Sequence, residues 1–464
     1  MKIYNSLTKE IEQFKPINKR EVKIYTCGPT VYDYAHVGNF RTYLLSDIVI
    51  RTLKYLNFKV KSVMNITDVG HLTSDADEGE DKLLKGAKRE GKTAWEIAKI
   101  YEDIFKKEIK KMNFLEVDYL PRVTDHIKEQ INLIKELERK SYTYKTSDGI
   151  YFDTSKFKNY QKLAQLDLKG LREGARVKVN PEKKNKHDFA LWKFSPKNIK
   201  RDMEWNSPWG KGFPGWHIEC SAMSMKYLGE TIDLHLGGVD LKPVHHTNEI
   251  AQSEAATGKK FVNYWVHGEF LLIEGKKMSK SKGNYYALGQ IEEKGIEPLA
   301  LRYLFLTTHY RQSMNLTLEA LKGCQTALNK LREKVISLKK EKDIKGVGNI
   351  AKTKALRKEF IKFISNDFNL PEALALMWQV LRSNLGASEK LNLVLDFDKV
   401  FGFNLSQVKA KKNLVKKEIQ ALALKRQALR QKGEFSKADR LRKEIEDKGY
   451  LIEDTSRGPA IKKK

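Results

Sequence analysis

The 464-residue chain is 41% hydrophobic, enough for roughly two to four domains with buried cores, and its formal net charge is +28. So basic a balance favours a polyanionic partner such as RNA, DNA or anionic lipid, although a Lys-rich composition alone would also produce it. There is no run of about 18 apolar residues, residues 1–20 lack the apolar centre of a signal peptide, and three cysteines cannot form an even disulfide framework, so a soluble cytoplasmic protein without a membrane partner is expected.

Along the chain, VKIYTCG (22–28) reads as a short buried strand closed by the Gly28-Pro29 turn. In FRTYLLSDIVIRTLKYL, Phe40, Leu44 and Ile48 fall four apart beside a stripe of Leu45, Val49 and Leu53, which predicts a largely buried helix. FKVKSVMNIT (58–67) is the next strand. Strand, helix and strand make a βαβ unit with a parallel sheet, and its first loop is the expected seat of a nucleotide phosphate. Residues 93–111 and 125–140 read as helices. From 142 to 212, Gly, Pro, Trp and Lys punctuate short runs such as YTYKTSDGIYFDTS, which predicts hairpins, and 115–212 reads as an insertion into the parallel-sheet domain. TIDLHLGG and NYWVHGEFLLI return to strand texture, and amphipathic helices dominate from about 316 to about 400. Residues 409–448 hold fourteen Lys/Arg against six Asp/Glu, either a solvated helix face or a surface for a nucleic-acid backbone.

GAKREGKT (86–93) matches the phosphate-cradling pattern G-x-x-x-x-G-K-[ST] in full. That loop works only when a buried strand holds it rigid at a sheet edge. Here DADEGEDKLLK precedes it, acidic and without β-rich character, so a solvated turn into a helix is the expectation.

HVGN (36–39) follows the first strand, and GKKMSKSKGN (275–284) follows a late one. The second stretch offers Lys276, Lys277, Lys280 and Lys282 among small residues, and such ammonium groups can stabilise charge developing on a triphosphate. The pair resembles the HIGH and KMSKS signatures of class I aminoacyl-tRNA synthetases, with Val37 for Ile and Asn39 for the second His. Asparagine still offers an amide donor to a phosphate, so Asn39 reads as a respelling.

Four of the ten histidines, His217, His235, His245 and His246, lie between positions 217 and 246. His245 and Glu249 are four apart, one helical turn, so both can face one cation, and Cys27 and Cys220 add thiolates. Two Cys, one His and one Glu suit zinc. Spacing alone leaves the ordinary readings open, a buried Cys as a small core side chain and a His–Glu pair as a helix-surface contact.

TCGPTVYD, HVGNFRT, NITD (65–68), SPWGKGFPGWHIECSAM (207–223), HLGGVDL (235–241), HHTNEIAQ (245–252), KMSKSKGN and DFNLPEAL (367–374), in that order, resemble the cysteinyl-tRNA synthetase family. GEFSKADRLRKEIEDKGYLIEDT (433–455) carries the resemblance through essentially the whole chain. The resemblance implies an α/β architecture: a Rossmann-like catalytic domain in two halves (1–114 and 213–270) around the 115–212 insertion, then a connective segment with KMSKS (271–315). An α-helical tRNA-binding bundle (316–404) and a small anticodon-recognition module (405–464) would follow. It also implies ATP-dependent activation of L-cysteine and transfer to the 3′ end of tRNA(Cys). One zinc per chain would sit on Cys27, Cys220, His245 and Glu249, selecting the thiolate over the near-isosteric serine hydroxyl without an editing domain. Thr67 and Trp216 would line the cysteine pocket. His36, Gly38 and Asn39 would lie at the phosphates, Gly237, Gly238 and Asp240 at the adenosine, and Lys277, Ser279 and Lys280 at the triphosphate. His36, Lys277 and Lys280 would be the catalytic groups, magnesium would accompany ATP, and the protein would be a monomer. The rivals are a related ligase joining cysteine to an amino sugar, which has no use for the basic C-terminal module, and a non-catalytic RNA-binding relative, which has no use for intact KMSKS. VGHLTSDADEGEDK, with His71, departs from the family pattern and carries no assigned role.

Overall fold

The computed structural model describes residues 1–70, 82–164, 180–196, 201–278, 285–341, 349–409, 417–455 and 458–463. The chain divides into two units, Met1–Gln407 and Val408–Lys464. Among the described residues no helix is long and apolar enough to cross a membrane.

The first unit begins with an antiparallel hairpin, β1 (Lys2–Asn5) and β2 (Glu10–Gln13), and then builds the expected βαβ unit from β3 (Glu21–Thr26), α1 (Val37–Tyr55) and β4 (Lys59–Met64). The periodicity of α1 is explained by burial: Phe40, Leu44, Leu45, Ile48, Val49 and Leu53 all lie inside. α2 (Lys82–Glu90), α3 (Ala94–Lys111) and α4 (Ile127–Arg139) follow. Between α3 and α4, Tyr119 and Arg122 bridge in parallel to Val63 and Ile66, so a segment inside the expected insertion extends the parallel sheet beyond β4. The hairpin texture resolves into an antiparallel sheet of β5 (Thr143–Lys145), β6 (Gly149–Phe152), β7 (Phe189–Phe194) and β8 (Gly212–Pro214), neighbours in chain order.

α5 (Trp216–Leu228), β9 (Ile232–Gly238), α6 (Thr247–Thr257) and β10 (Val262–Gly268) complete the main sheet. Its order is β10-β9-β3-β4, parallel throughout. The order reverses at the β3–β9 boundary, the place where open α/β sheets leave a crevice beyond the strand C-termini for a ligand. Cys27, His36 and Asp240 all follow the C-terminal ends of these two central strands.

β11 (Leu271–Ile273) and β12 (Lys276–Lys277) form a hairpin, α7 (Leu288–Glu293) and α8 (Pro298–Leu306) follow, and β13 (Met314–Leu316) pairs in parallel with β11. This small sheet is tied to α1 by Arg41, which is 6% exposed and donates to the carbonyls of Glu269 and Phe270 at 2.8 and 2.6 Å and also to that of Gln312. Burial lowers the Arg41 pKa to about 10, and Glu269 pulls it back up. α9 (Leu318–Lys340), α10 (Ile350–Ile364), α11 (Leu370–Arg382) and α12 (Ala387–Phe401) are the amphipathic helices. The second unit holds α13 (Lys417–Gln431), α14 (Phe435–Asp447) and an antiparallel hairpin of β14 (Tyr450–Thr455) and β15 (Gly458–Lys463). Its own core is Ile419, Ala423, Ile445, Tyr450 and Ile452.

Gly86 of the P-loop look-alike lies inside α2, so its backbone N–H is committed to helical bonding and unavailable to cradle a phosphate. Thr93 of the same octapeptide is the N-cap of α3, in a capping box with Glu96.

Candidate active site

Cys27 leaves the main sheet one residue past β3, its N–H donating to Leu236 O of β9 at 3.2 Å. Cys220 lies on α5, one turn after Trp216, and the wide turn Lys242–His246 delivers His245 just ahead of α6, which carries Glu249. All four are buried. Cys27 Sγ lies 4.0 Å from Cys220 Sγ and 3.8 Å from Glu249 Oε1, and His245 Nε2 lies 3.1 Å from the same oxygen. Donors placed tetrahedrally at zinc bond lengths stand about 3.3–3.8 Å apart, so this cluster is nearly closed to coordination size.

A second set, Cys27, His235, His246 and Glu249, also gathers within 4.8 Å, with Cys27 Sγ 3.4 Å from His246 Nε2. The two sets share Cys27 and Glu249 but differ in outlook. Cys27, Cys220 and His245 line a cavity of about 240 Å³, whereas His235 and His246 are not among its lining residues. They form an outer layer instead. His235 Nε2 meets Glu249 Oε2 at 2.9 Å, leaving Oε1 to Cys27 and His245, and His246 Nδ1 meets His267 Nε2 at 2.8 Å; Glu249 itself does not line the cavity. His217 pairs with His245 Nδ1 at 3.0 Å, fixing the ring that presents Nε2.

The electrostatics follow from burying these groups together. Glu249 is held at about 2, because contacts with His235 and His245 outweigh the burial that would raise it. Burial, then Cys220 and Glu249, push the Cys27 thiol well above its usual value. Cys220 is lowered to about 7, chiefly by its hydrogen bond with Cys27, so it is the sulfur that ionises first.

The same cavity is lined by His36 and Asn39 from the start of α1, by Thr67 and Trp216, and by Gly238 and Asp240 beyond β9. The Trp216 ring packs over that of His245, centroids 4.5 Å apart. Gly237 and Gly38 are not among the lining residues; a Cβ on Gly237 would come within 2.5 Å of the His246 ring, so this residue makes room for the outer histidine layer. Lys277 ends β12, paired through its backbone with Leu272. Ser279, Lys280 and His71 lie outside the described residues.

Some site residues had no sequence signal. His267 is brought in by β10, and Tyr285, just past KMSKSKGN, lines the cavity with its ring edge-on to His36 at 5.5 Å. Asn65 sits within NITD, where only its neighbour Thr67 drew attention; it accepts from the Gly28 N–H at 2.9 Å and donates to Thr67 Oγ1 at 2.9 Å, locking the end of β3 to the loop after β4. Glu219, one residue before Cys220, is a fully buried carboxyl 3.5 Å from Thr67 Oγ1, pushed well up by burial and then by Asp68.

A crevice at the sheet's order reversal, a helix start on one side of it and a soft-donor cluster on the other describe a nucleotide-using enzyme. The solved methionyl-tRNA synthetase of Mycobacterium tuberculosis in complex with methionyl-adenylate has the same fold at a TM-score of 0.58 and 14% identity, covering 82% of this chain and 89% of that one. Residues 13–326 match the family model described as tRNA synthetases class I (C) catalytic domain. The protein is thus an aminoacyl-tRNA synthetase of class I. It is 46% identical to Cysteine--tRNA ligase 1 of Burkholderia lata over 99% of this chain and 96% of that relative, and 40% identical to Cysteine--tRNA ligase of Borrelia garinii over 100% and 99%. The chain belongs to the cysteine–tRNA ligase family.

Proposed function

We propose that the chain activates L-cysteine with ATP, forming cysteinyl-adenylate and releasing pyrophosphate, and passes the cysteinyl group to the 3′ end of tRNA(Cys). The observation that carries this reading is that Cys27, Cys220 and His245 open onto the same cavity as the first turn of α1. A thiol substrate and a triphosphate can then lie side by side within it.

Zinc would be held by Cys27, Cys220, His245 and Glu249, and when bound it supplies a soft Lewis acid that takes a thiolate far better than an alcohol. The chain's own residues do the rest. Trp216 and Thr67 shape the amino-acid end of the cavity and keep water from it. His36 and the N-terminal end of α1 receive the phosphates, where the helix dipole favours negative charge. Asp240 offers a carboxylate to a ribose hydroxyl, with Gly237 and Gly238 beside it. Lys277 and Lys280 neutralise charge on the triphosphate, which magnesium accompanies, and Ser279 offers it a hydroxyl donor. No enzyme nucleophile is needed: the cysteine carboxylate attacks the α-phosphorus as pyrophosphate leaves, a hydroxyl at the tRNA 3′ end then takes the acyl group from the adenylate as AMP leaves, and positioning and electrostatics suffice for both steps.

Cysteine-dependent exchange of pyrophosphate into ATP tests the first half, and charging of purified tRNA(Cys) the second. Exchange is expected with cysteine and to be at least about a hundredfold weaker with serine. No exchange with any amino acid would overturn the reading.

A further inference from the structure

The start of α1 closes on itself through residues 36 and 39. His36 is the N-cap, with extended φ −94° and ψ 163°, and its backbone N–H donates to Asn39 Oδ1 at 3.1 Å. In return the Asn39 backbone N–H, shared with His36 O at 2.9 Å, donates to His36 Nδ1 at 3.1 Å. This is a capping box in which an imidazole nitrogen takes the place of the usual serine or threonine oxygen. A backbone N–H can only donate, so Nδ1 must be the lone-pair nitrogen, and in a neutral ring the proton sits on Nε2. The ring is seated as well as bonded. A Cβ on Gly38 would stand 3.0 Å from Nδ1 and 3.1 Å from Cε1, and 2.8 Å from Met278 Cε, so the glycine leaves that edge of the imidazole uncrowded against the helix start. On its other side the ring meets Tyr285, whose hydroxyl donates to Tyr34 O at 2.6 Å.

We propose that Asn39 is a positioning residue: through the capping box it holds His36 as the Nε2-protonated tautomer, an imidazole that meets the triphosphate as a hydrogen-bond donor. The proposal rests on the reading that His36 faces the phosphates of ATP. It separates the jobs of the two residues. His36 touches substrate, while the Asn39 carboxamide oxygen is committed to the N-cap backbone and acts through His36. The chemistry of the tautomer decides the direction of help, because a lone-pair nitrogen facing an oxyanion would repel it, and an N–H attracts it.

The test uses the full chain labelled with ¹⁵N-histidine, with the His36 signals assigned by their loss in His36→Gln. Wild type should show Nδ1 in the unprotonated range and Nε2 in the protonated range. Asn39→Ala frees the N-cap backbone and should give a tautomer mixture, while Asn39→Asp keeps the acceptor and should restore the wild-type pattern. In cysteine-dependent pyrophosphate exchange, Asn39→Ala should lower kcat/KM for ATP about tenfold, the worth of one hydrogen bond. In a His36→Ala background it should have no further effect. A wild-type ring protonated on Nδ1, an unchanged pattern in Asn39→Ala, or an equal loss in the His36→Ala background each overturns the proposal. Full exchange in His36→Ala alone would instead overturn the phosphate reading, and the ¹⁵N pattern would still decide whether Asn39 positions the ring.

Discussion

Cys27 and Glu249 belong to both ligand sets, so Cys27→Ser should empty the site whichever set holds the ion. The discriminating residues are Cys220 and His246. Only Cys220 lines the cavity, and His246 already engages His267 through Nδ1. Purified wild type should carry about one zinc per chain by elemental analysis, and Cys27→Ser and Cys220→Ser should lose it. His246→Gln should keep the stoichiometry with affinity weakened about 10–100-fold, as for an outer-layer partner. Metal lost from His246→Gln but kept in Cys220→Ser would move the ion to the other set. A second residue-scale prediction concerns Glu108 on α3, 6% exposed, with no hydrogen-bond partner for Oε2 among the described residues. Burial raises its pKa from 4.5 to about 7, Lys111 lowering it and Glu292 raising it. A raised carboxyl pKa means the folded state binds the proton more tightly. Its stability contribution is therefore complete below pH 4.5 and lost as pH climbs through about 7. Relative to Glu108→Gln, wild type should lose about 1–2 kcal/mol between pH 4.5 and 8, after discounting for partial exposure. Melting curves of both proteins across that range check it, and parallel curves would refute it.

At the scale of elements, the octapeptide at 86–93 shows how a complete motif fails without its scaffold. Its first residue is inside α2 and its last caps α3, where Thr93 Oγ1 accepts from the Glu96 N–H at 3.2 Å. Thr93→Ala should therefore cost about 1 kcal/mol of stability, seen as a lower melting temperature, and leave pyrophosphate exchange unchanged. Lys92→Ala should alter neither, and loss of exchange in either variant would restore the nucleotide-loop reading. What the sequence made legible follows the same logic. The βαβ unit was readable because α1 buries a stripe at helical spacing and its flanking strands place Val22, Ile24, Val60 and Val63 at alternate or near-alternate positions. The proposed metal ligands were readable as chemistry, His245 and Glu249 by helical spacing and the cysteines by rarity, but spacing could not separate that role from an ordinary core one, and what the fold adds is that the four side chains are buried together. The outer histidine layer was only half legible. His235 and His246 lie among the clustered histidines, whereas His267 arrives on another strand and meets His246 through sheet order alone. Arg41 has no local signature either, because its carbonyl partners at 269, 270 and 312 are gathered by the fold. The same holds for residues 119–122, whose pairing with the loop end of β4 is set by tertiary packing that overrides a weak local strand preference.

At the scale of the whole molecule, the charge is unevenly placed. Residues 408–464 hold eighteen Lys/Arg against eight Asp/Glu, about a third of the net +28 in an eighth of the chain. This segment is also a unit with its own core, where Arg426, 1% exposed, is paired with Asp454 at 2.6 and 3.0 Å. A compact unit so basic is expected to meet the backbone of a polyanion, and in a tRNA synthetase family the tRNA is the partner to test. The boundary is well placed for a test. Leu405 is fully buried in the first unit and Lys339 donates to Ser406 O at 2.8 Å, so a chain ending at Gln407 keeps those contacts. Among the described residues none that lines the cavity lies beyond 285, so the truncated chain should retain cysteine-dependent pyrophosphate exchange within about twofold. Charging should suffer in a particular way: the KM for tRNA(Cys) should rise about tenfold or more, and its dependence on salt should flatten, because each lost phosphate contact removes close to one released counterion from the slope. An unchanged KM with an unchanged salt slope would mean that the module's charge serves something other than tRNA. Loss of exchange together with charging would mean that the catalytic unit needs the module to fold.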